Sequence, residues 1–424
     1  MSPRRRVAIT GLGVVTSLGR EVEPVWQAVL DGRSGVGAIR QFDSRAFPVR
    51  IGSEVDLDEL RADPAVDLPA ASRSAQFGVW AMERAWSAAG LDGATIDLER
   101  AGTCVGASTF PVIEDSLGDP GAILQGDRYN AAYYLDVCRR RPELLRQRDI
   151  ASISTLLAQR KGLRGPTLTV QTACSSAAQA IGESLAILRA GEADLMVTGG
   201  TDSMMTVLCV TGFSLLGTLS QRNDEPERAS RPFDLKRDGF VLGEGAGVLV
   251  LEDLEHALAR GAPIVAELAG YGSSSDGYRF TDVHPEGRGA VDCMRAALAD
   301  AGVRREEVGY VNAHGTGTLI NDPVETLAVK QVFGDHARRL AISSTKSQLG
   351  HLVCAAGGIE TVLTALAVRD GVLPPTINLD TPDPACDLDY VPNRCRRAEL
   401  EVALSNSFGF GGQNGSLVVR RWEE

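Results

Sequence analysis

One cysteine set between a strand-like run and a helical run is the first point in this chain where covalent chemistry suggests itself. Pro166-Thr167-Leu168-Thr169-Val170 is β-rich and opened by proline, and Ser175 to Arg189 carries Ala, Ile and Leu at helical spacing before Gly191. Cys174 falls at the junction, within Val170-Gln171-Thr172-Ala173-Cys174-Ser175-Ser176. A thiol there meets the unpaired N–H groups and dipole of a helix N-terminus, which favour thiolate. The same N–H groups can hold an oxyanion on a bound thioester. The plainer reading is a small buried hydrophobe, which most unpaired intracellular cysteines are.

Two of the five histidines stand in settings that favour the chemical reading. Val311-Asn312-Ala313-His314-Gly315-Thr316-Gly317-Thr318 reads as a strand end running into a Gly/Thr turn. Ser343-Ser344-Thr345-Lys346-Ser347-Gln348-Leu349-Gly350-His351 sets a lysine shortly before a histidine, ahead of a small-residue stretch, Cys354 to Gly358. Glycine beside each histidine permits close approach by a ligand, and threonine hydroxyls offer hydrogen bonds. A neutral imidazole can donate to a developing enolate or take a proton, so a Cys/His/His set suits thioester chemistry. Taken singly, each histidine is as well explained by a hydrogen bond within its turn. No Cys/His cluster has zinc-ligand spacing.

Cys174, His314, Lys346 and His351, in that order and with their flanks, resemble the elongating β-ketoacyl-acyl carrier protein synthases. Further similar blocks are Val7-Ala8-Ile9-Thr10-Gly11-Leu12-Gly13, Arg231-Pro232-Phe233-Asp234, Asp238 to Gly247, Leu373 to Leu379, and Asn406 to Gly412. The resemblance implies an α/β, thiolase-like fold of two pseudo-duplicated halves in α-β-α-β-α layers. It implies that Cys174 accepts an acyl chain, with its own N–H and that of Phe410 as oxyanion hole. His314 and His351 would then assist decarboxylation of a malonyl-carrier thioester, and the resulting carbanion would attack the acyl-cysteine. Lys346 would set charge and geometry, with Glu325 as its acidic partner. Thr316 and Thr318 match positions that bind the phosphopantetheine arm, and Phe410 matches an aromatic gate. No metal or redox cofactor is implied; the substrates ride on an acyl carrier protein. A second histidine in place of a late cysteine or an asparagine separates this pattern from thiolases and chain-initiating synthases. A catalytically silent partner subunit would lack Cys174, and a Cys/His hydrolase would not need the second histidine.

The departures point toward a specialised pathway or a dedicated partner. Thr109 to Lys161 is poorly matched and holds Arg139-Arg140-Arg141, Arg146 and Arg148. Leu68 to Gln76, where relatives carry a Lys/Arg docking cluster, offers only Arg73, and Gln413 replaces a usual threonine.

The elements needed to position these residues fit the composition. The chain has 424 residues, 44% hydrophobic and 23% charged, long enough for two fused domains, and its strand–helix alternation argues for α/β layers. No clear internal sequence repeat is visible. A division near Arg260-Gly261-Ala262-Pro263 gives halves 1–262 and 263–424, with Cys174 in the first and both histidines in the second. Eight scattered cysteines suggest reduced cytosolic thiols. Val7 to Val15 reads as a buried strand rather than a signal peptide, and no apolar run suffices to span a membrane. A net charge of −12 argues against nucleic acid and opposes an acidic carrier unless a basic patch, in Arg139–Arg148 or Arg394–Arg397, receives it. The resemblance further implies a dimer, with an identical or a related mate.

Overall fold

The apolar N-terminal run becomes strand β1 (Val7–Val15), buried along its whole length. The computed structural model describes residues 4–61, 68, 71–108, 124–125, 128–140, 142 and 149–423. Nine more strands join β1: β2 (Ala101–Gly106), β3 (Thr167–Val170), β4 (Leu195–Ser203), β5 (Glu244–Asp253), β6 (Ala266–Ser275), β7 (Val308–Asn312), β8 (Ala341–Ser343), β9 (Val402–Gly409) and β10 (Gln413–Arg421). Their order is β8-β7-β9-β10-β6-β1-β5-β4-β2-β3.

That order is a duplication. Outward from the central β6–β1 pair, each side places its first, fifth, fourth, second and third strand in turn. Directions repeat as well. In each half the second strand pairs parallel with the third and fourth, and the fifth pairs antiparallel with the fourth and first. At the seam β1 and β6 pair antiparallel through Ala8–Glu267 and Ile9–Ala266.

Helices complete the layers. Helix α1 (Arg73–Ala88) packs outside β1, β4 and β5; its Ser72 N-cap hydroxyl accepts from the Ala75 amide at 3.2 Å. Helix α2 (Ser176–Ala190) and, near the chain end, Ala356–Asp370 lie between the two sheet halves and against each other. Helix α3 (Val207–Leu215) flanks a cavity, and α4 (Arg288–Ala301) covers the far sheet face with α5 (Asn321–Phe333) packed against it. Counted in order, Ala356–Asp370 is α6. Its first thirteen residues are all buried, a pattern reserved for a central helix.

The central helices sit unusually close to the strands. Gly106 faces the backbone of Ser176 and Ala177, and Gly247 faces that of Gly358 and Ile359, with no room for a Cβ at either place.

Candidate active site

Cys174 is held up by a strained turn. Ala173 adopts φ +49° and opens a 3-10 turn over Ala173–Ser175 that leads into α2. Two serines fasten it. Ser175 Oγ donates to the Thr172 carbonyl at 2.8 Å, and Ser176 Oγ donates to the Ala173 carbonyl at 2.6 Å while accepting from the Thr172 amide at 2.9 Å. The sulfur is thereby presented at the helix N-terminus, 6% exposed. Backbone amides of Phe410 and of Cys174 itself hydrogen-bond it. Burial nevertheless outweighs those donors and the nearby Lys346 charge, pushing the thiol up to about 11.

His314 follows β7 and is fixed through its backbone. Its amide and that of Gly315 donate to the two Glu325 carboxylate oxygens at 2.9 and 2.8 Å, and Asn406 Nδ2 donates to the same carboxylate at 3.3 Å. His351 bridges two segments: its amide donates to the Val241 carbonyl at 2.7 Å, and its carbonyl accepts from Gly243 at 2.9 Å. Its Nδ1 accepts from the Val353 amide at 3.3 Å, which leaves the hydrogen of the neutral ring on Nε2. That Nε2, and Nδ1 of His314, are buried without a hydrogen-bond partner among the described residues. The rings meet edge to face, 5.4 Å apart. Burial, followed by the charge of Lys346, holds both imidazoles well below their ordinary value, so both are neutral.

The partner assigned to Lys346 from sequence is corrected. Its ammonium pairs with Glu360 on α6, not with Glu325, and both members of the pair are buried. Glu325 belongs to the His314 turn instead. A lone charged residue inside the otherwise uncharged run Gly357–Leu366 was the available signal for Glu360.

Sequence-distant residues converge here. The Cys174 sulfur and one nitrogen each of His314 and His351 lie within 4.8 Å of one another, a donor set that sequence spacing does not reveal and that a soft metal ion could also use. A cavity of about 1030 Å³ opens beside them, lined by Thr316, Thr318, Phe410 and Gln413 as well as by α3. The two threonine hydroxyls lie 3.0 Å apart. Phe410 approaches Phe213 at 6.4 Å, Phe213 meets Phe240 at 5.6 Å, and Phe240 meets His351 at 5.2 Å. Phe213 on α3 was not singled out in the sequence, since its apolar neighbours read as core.

The arginine candidates fare differently. Arg73 is tied to the buried Glu244 at 2.5 Å. Arg139 and Arg140 end the helix Ala131–Arg140, where Arg140 pairs with Asp136, while Arg141, Arg146 and Arg148 lie outside the described residues. Arg396 and Arg397 pair with Val372 and Leu373, beyond the C-terminus of α6 and so roughly 22 Å of helix away from the site.

Known proteins share both the sequence and this architecture. Residues 4–257 match the β-ketoacyl synthase N-terminal domain and 265–380 the β-ketoacyl synthase C-terminal domain. The chain belongs to the β-ketoacyl synthase family. It is 44% identical to 3-oxoacyl-[acyl-carrier-protein] synthase 2 of Coxiella burnetii, over 99% of both chains. To the enzyme of the same name from Synechocystis it is 41% identical, again over 99% of both. Among solved structures, a type II polyketide ketosynthase, bound to a hexaketide and in complex with its acyl-carrier protein, is similar at TM-score 0.90 and 34% identity, covering 99% of this chain and 100% of that one. The ishigamide ketosynthase/chain length factor is similar at 0.86 and 36%, with the same coverage. The synthase is therefore an acyltransferase-type condensing enzyme with a thiolase-like fold.

Proposed function

We propose that this synthase elongates an acyl chain by decarboxylative condensation, with Cys174 as nucleophile and His314 and His351 as the decarboxylating pair. The observation that carries this is the meeting of one thiol with two neutral, buried imidazoles, one of them with an unpaired Nε2–H. In the first half-reaction Cys174 Sγ attacks the carbonyl of an acyl-carrier thioester. The oxyanion forms against the amides of Cys174 and Phe410, and the thiol proton passes by way of an imidazole to the departing pantetheine sulfur. In the second, malonyl-carrier enters with its arm along Thr316 and Thr318. The C–CO₂ bond breaks, CO₂ leaves, and the electron pair becomes an enolate whose oxygen is stabilised by the two imidazoles. The enolate carbon then attacks the acyl-Cys174 carbonyl, forming the new C–C bond and expelling the Cys174 thiolate, which is reprotonated.

Neutral imidazoles serve this sequence better than charged ones, since a neutral N–H matches an enolate without first surrendering its proton to water. Lys346 and Glu360 keep that charge state: the ammonium disfavours protonation of either ring. Glu325 is a positioning residue for the His314 turn, and Phe410 both supplies an oxyanion donor and gates the acyl pocket. The condensation needs no metal or redox cofactor, since loss of CO₂ drives it and the phosphopantetheine belongs to the carrier. The chain is read as two halves meeting between residues 262 and 263. It is assigned to the cytosol, a reading supported by its eight free cysteines and by the absence, among the described residues, of any helix long and apolar enough to cross a membrane. The edge position of β3, with Leu168 exposed on it, supports a dimer whose mate is a second copy or a related chain-length-determining subunit. The test is intact mass after incubation with acyl-carrier thioesters and then malonyl-carrier. An adduct that Cys174→Ala lacks, discharged as β-ketoacyl-carrier, is the expected result; free acid without condensation would replace this reading by a hydrolase.

A further inference from the structure

Residues 313–320, which carry His314, Thr316 and Thr318 from β7 to α5, form no helix or strand of their own. Their backbone polar groups must therefore find partners elsewhere, since a buried carbonyl left bare is costly. The loop before β5 supplies them. The Gly239 amide donates to the Gly317 carbonyl at 3.1 Å. Arg237 serves the next two carbonyls: Nε donates to that of Thr318 at 2.9 Å, and Nη2 to that of Leu319 at 3.4 Å.

Arg237 is only 4% exposed, and its other donors hold it in place. Nη1 donates to the Asp234 carbonyl at 2.9 Å and to the Asp383 carboxylate at 2.6 Å. Its Nε lies 3.6 Å from the buried Asp322 carboxylate, which accepts from the Gly317 amide at 3.2 Å and the Phe233 amide at 2.8 Å. Guanidinium and carboxylate thus grip one turn with opposite polarity, the first taking its carbonyls and the second its amide. A rigid planar fork can serve two successive carbonyls, whereas an ammonium on a flexible stem is a point charge. The Thr318 hydroxyl lies 3.0 Å from that of Thr316 and accepts from the Asn321 amide at 3.2 Å. Both hydroxyls therefore follow wherever this backbone is set.

We propose that Arg237 is a positioning residue for the arm-binding turn: by fixing the Thr318 and Leu319 carbonyls it aims the Thr316 and Thr318 hydroxyls at the pantetheine of the incoming malonyl group. This rests on the condensing reading above, in which those threonines hold the arm. Arg237 is absent from the cavity lining, so its loss should weaken arm binding and spare the chemistry at Cys174.

The experiment loads Cys174 with hexanoyl and follows a single turnover at rising concentrations of malonyl-pantetheine. Arg237→Lys keeps a positive charge beside Asp322 and Asp383, so neither carboxylate is stranded, but it loses the fork. It should raise the half-saturating concentration about tenfold or more and leave the limiting rate within about threefold of wild type. Alkylation of unloaded Cys174 by iodoacetamide, a reagent with no arm, should stay within about twofold. Asp383→Asn removes only the outer ion pair and should raise half-saturation by about two- to fivefold. That variant decides the matter should the lysine variant fold poorly by circular dichroism. Unchanged half-saturation in a folded Arg237→Lys enzyme, or failing that in Asp383→Asn, would overturn the inference. So would limiting and alkylation rates that fall together with affinity, the pattern of general damage to the site. Failure of the condensing reading looks different: wild type would then give no β-ketoacyl product at any concentration of malonyl-pantetheine.

Discussion

The fold makes the turn that presents Cys174 twice. In the first half Ala173, at φ +49°, opens a 3-10 turn with a cysteine at its centre, followed by a fifteen-residue helix that ends at Gly191. In the second half Val353, at φ +44°, opens a 3-10 turn over Val353–Ala355 with Cys354 at its centre, followed by fifteen-residue α6 ending at Gly371. The two turns pack against each other, and both cysteines line the cavity. Their surroundings differ. Cys174 faces the Phe410 amide, whereas the Cys354 amide is taken by the Asp202 carboxylate at 3.0 Å, and that carboxylate lies close enough to the Cys354 thiol to help burial push it well above its ordinary value. Backbone geometry therefore presents two thiols, and the donors facing each one set Cys174 apart as the proposed acyl carrier.

The sharpest way to break this comparison is to remove each cysteine. Cys174→Ala should cut turnover by roughly 10⁴-fold or more and abolish the acyl adduct, as loss of a nucleophile does. Cys354→Ala should keep the adduct and cost about 1 kcal/mol of stability, typical of a small buried truncation. Peptide mapping that finds an acyl group on Cys354 in the Cys174→Ala protein would refute the distinction.

A smaller effect concerns Glu360, one turn into α6. Burial raises this carboxyl to about 7, against an ordinary 4.5. The folded state thus favours the proton. The resulting stability is present below about 4.5 and is lost as pH rises toward 7, at about 1 kcal/mol per pH unit in that window. Glu360→Gln should flatten that slope in urea unfolding measured from pH 4.5 to 8; an identical slope would mean that the carboxyl titrates normally.

The smallest expected shift sharpens the role of Asp202. Its charge raises the Cys174 thiol, after burial has done most of the work. Asp202→Asn should move the midpoint of iodoacetamide alkylation of Cys174 to lower pH by less than about one unit. An upward movement would contradict the assigned sign.

Legibility in the sequence followed the distance over which each residue acts. The Cys174 junction, the His314 strand end and the buried β1 were readable because a few neighbours dictate each of them. Glu360 was missed because its partner Lys346 lies fourteen residues away on another element, and Phe213 because nothing local distinguishes a wall of a cavity from core. The duplication was hidden for a related reason. The repeated turns share only the pattern Ala-Cys-Ser-Ser against Val-Cys-Ala-Ala, too short to register, while strand order repeats in full.

The two glycine contacts, Gly106 on α2 and Gly247 on α6, carry a consequence for how such an enzyme diversifies. Any side chain there would pry a reacting turn from its strand, so the centre of the molecule is closed to evolutionary experiment. The α3 wall carries no such constraint at Gly212, which has nothing within 4 Å, or at Leu215, which is open to water. New substrate ranges should therefore arise by drift at the periphery around a close-packed core, and libraries meant to retune this synthase belong at residues 208–216 rather than beside the thiol.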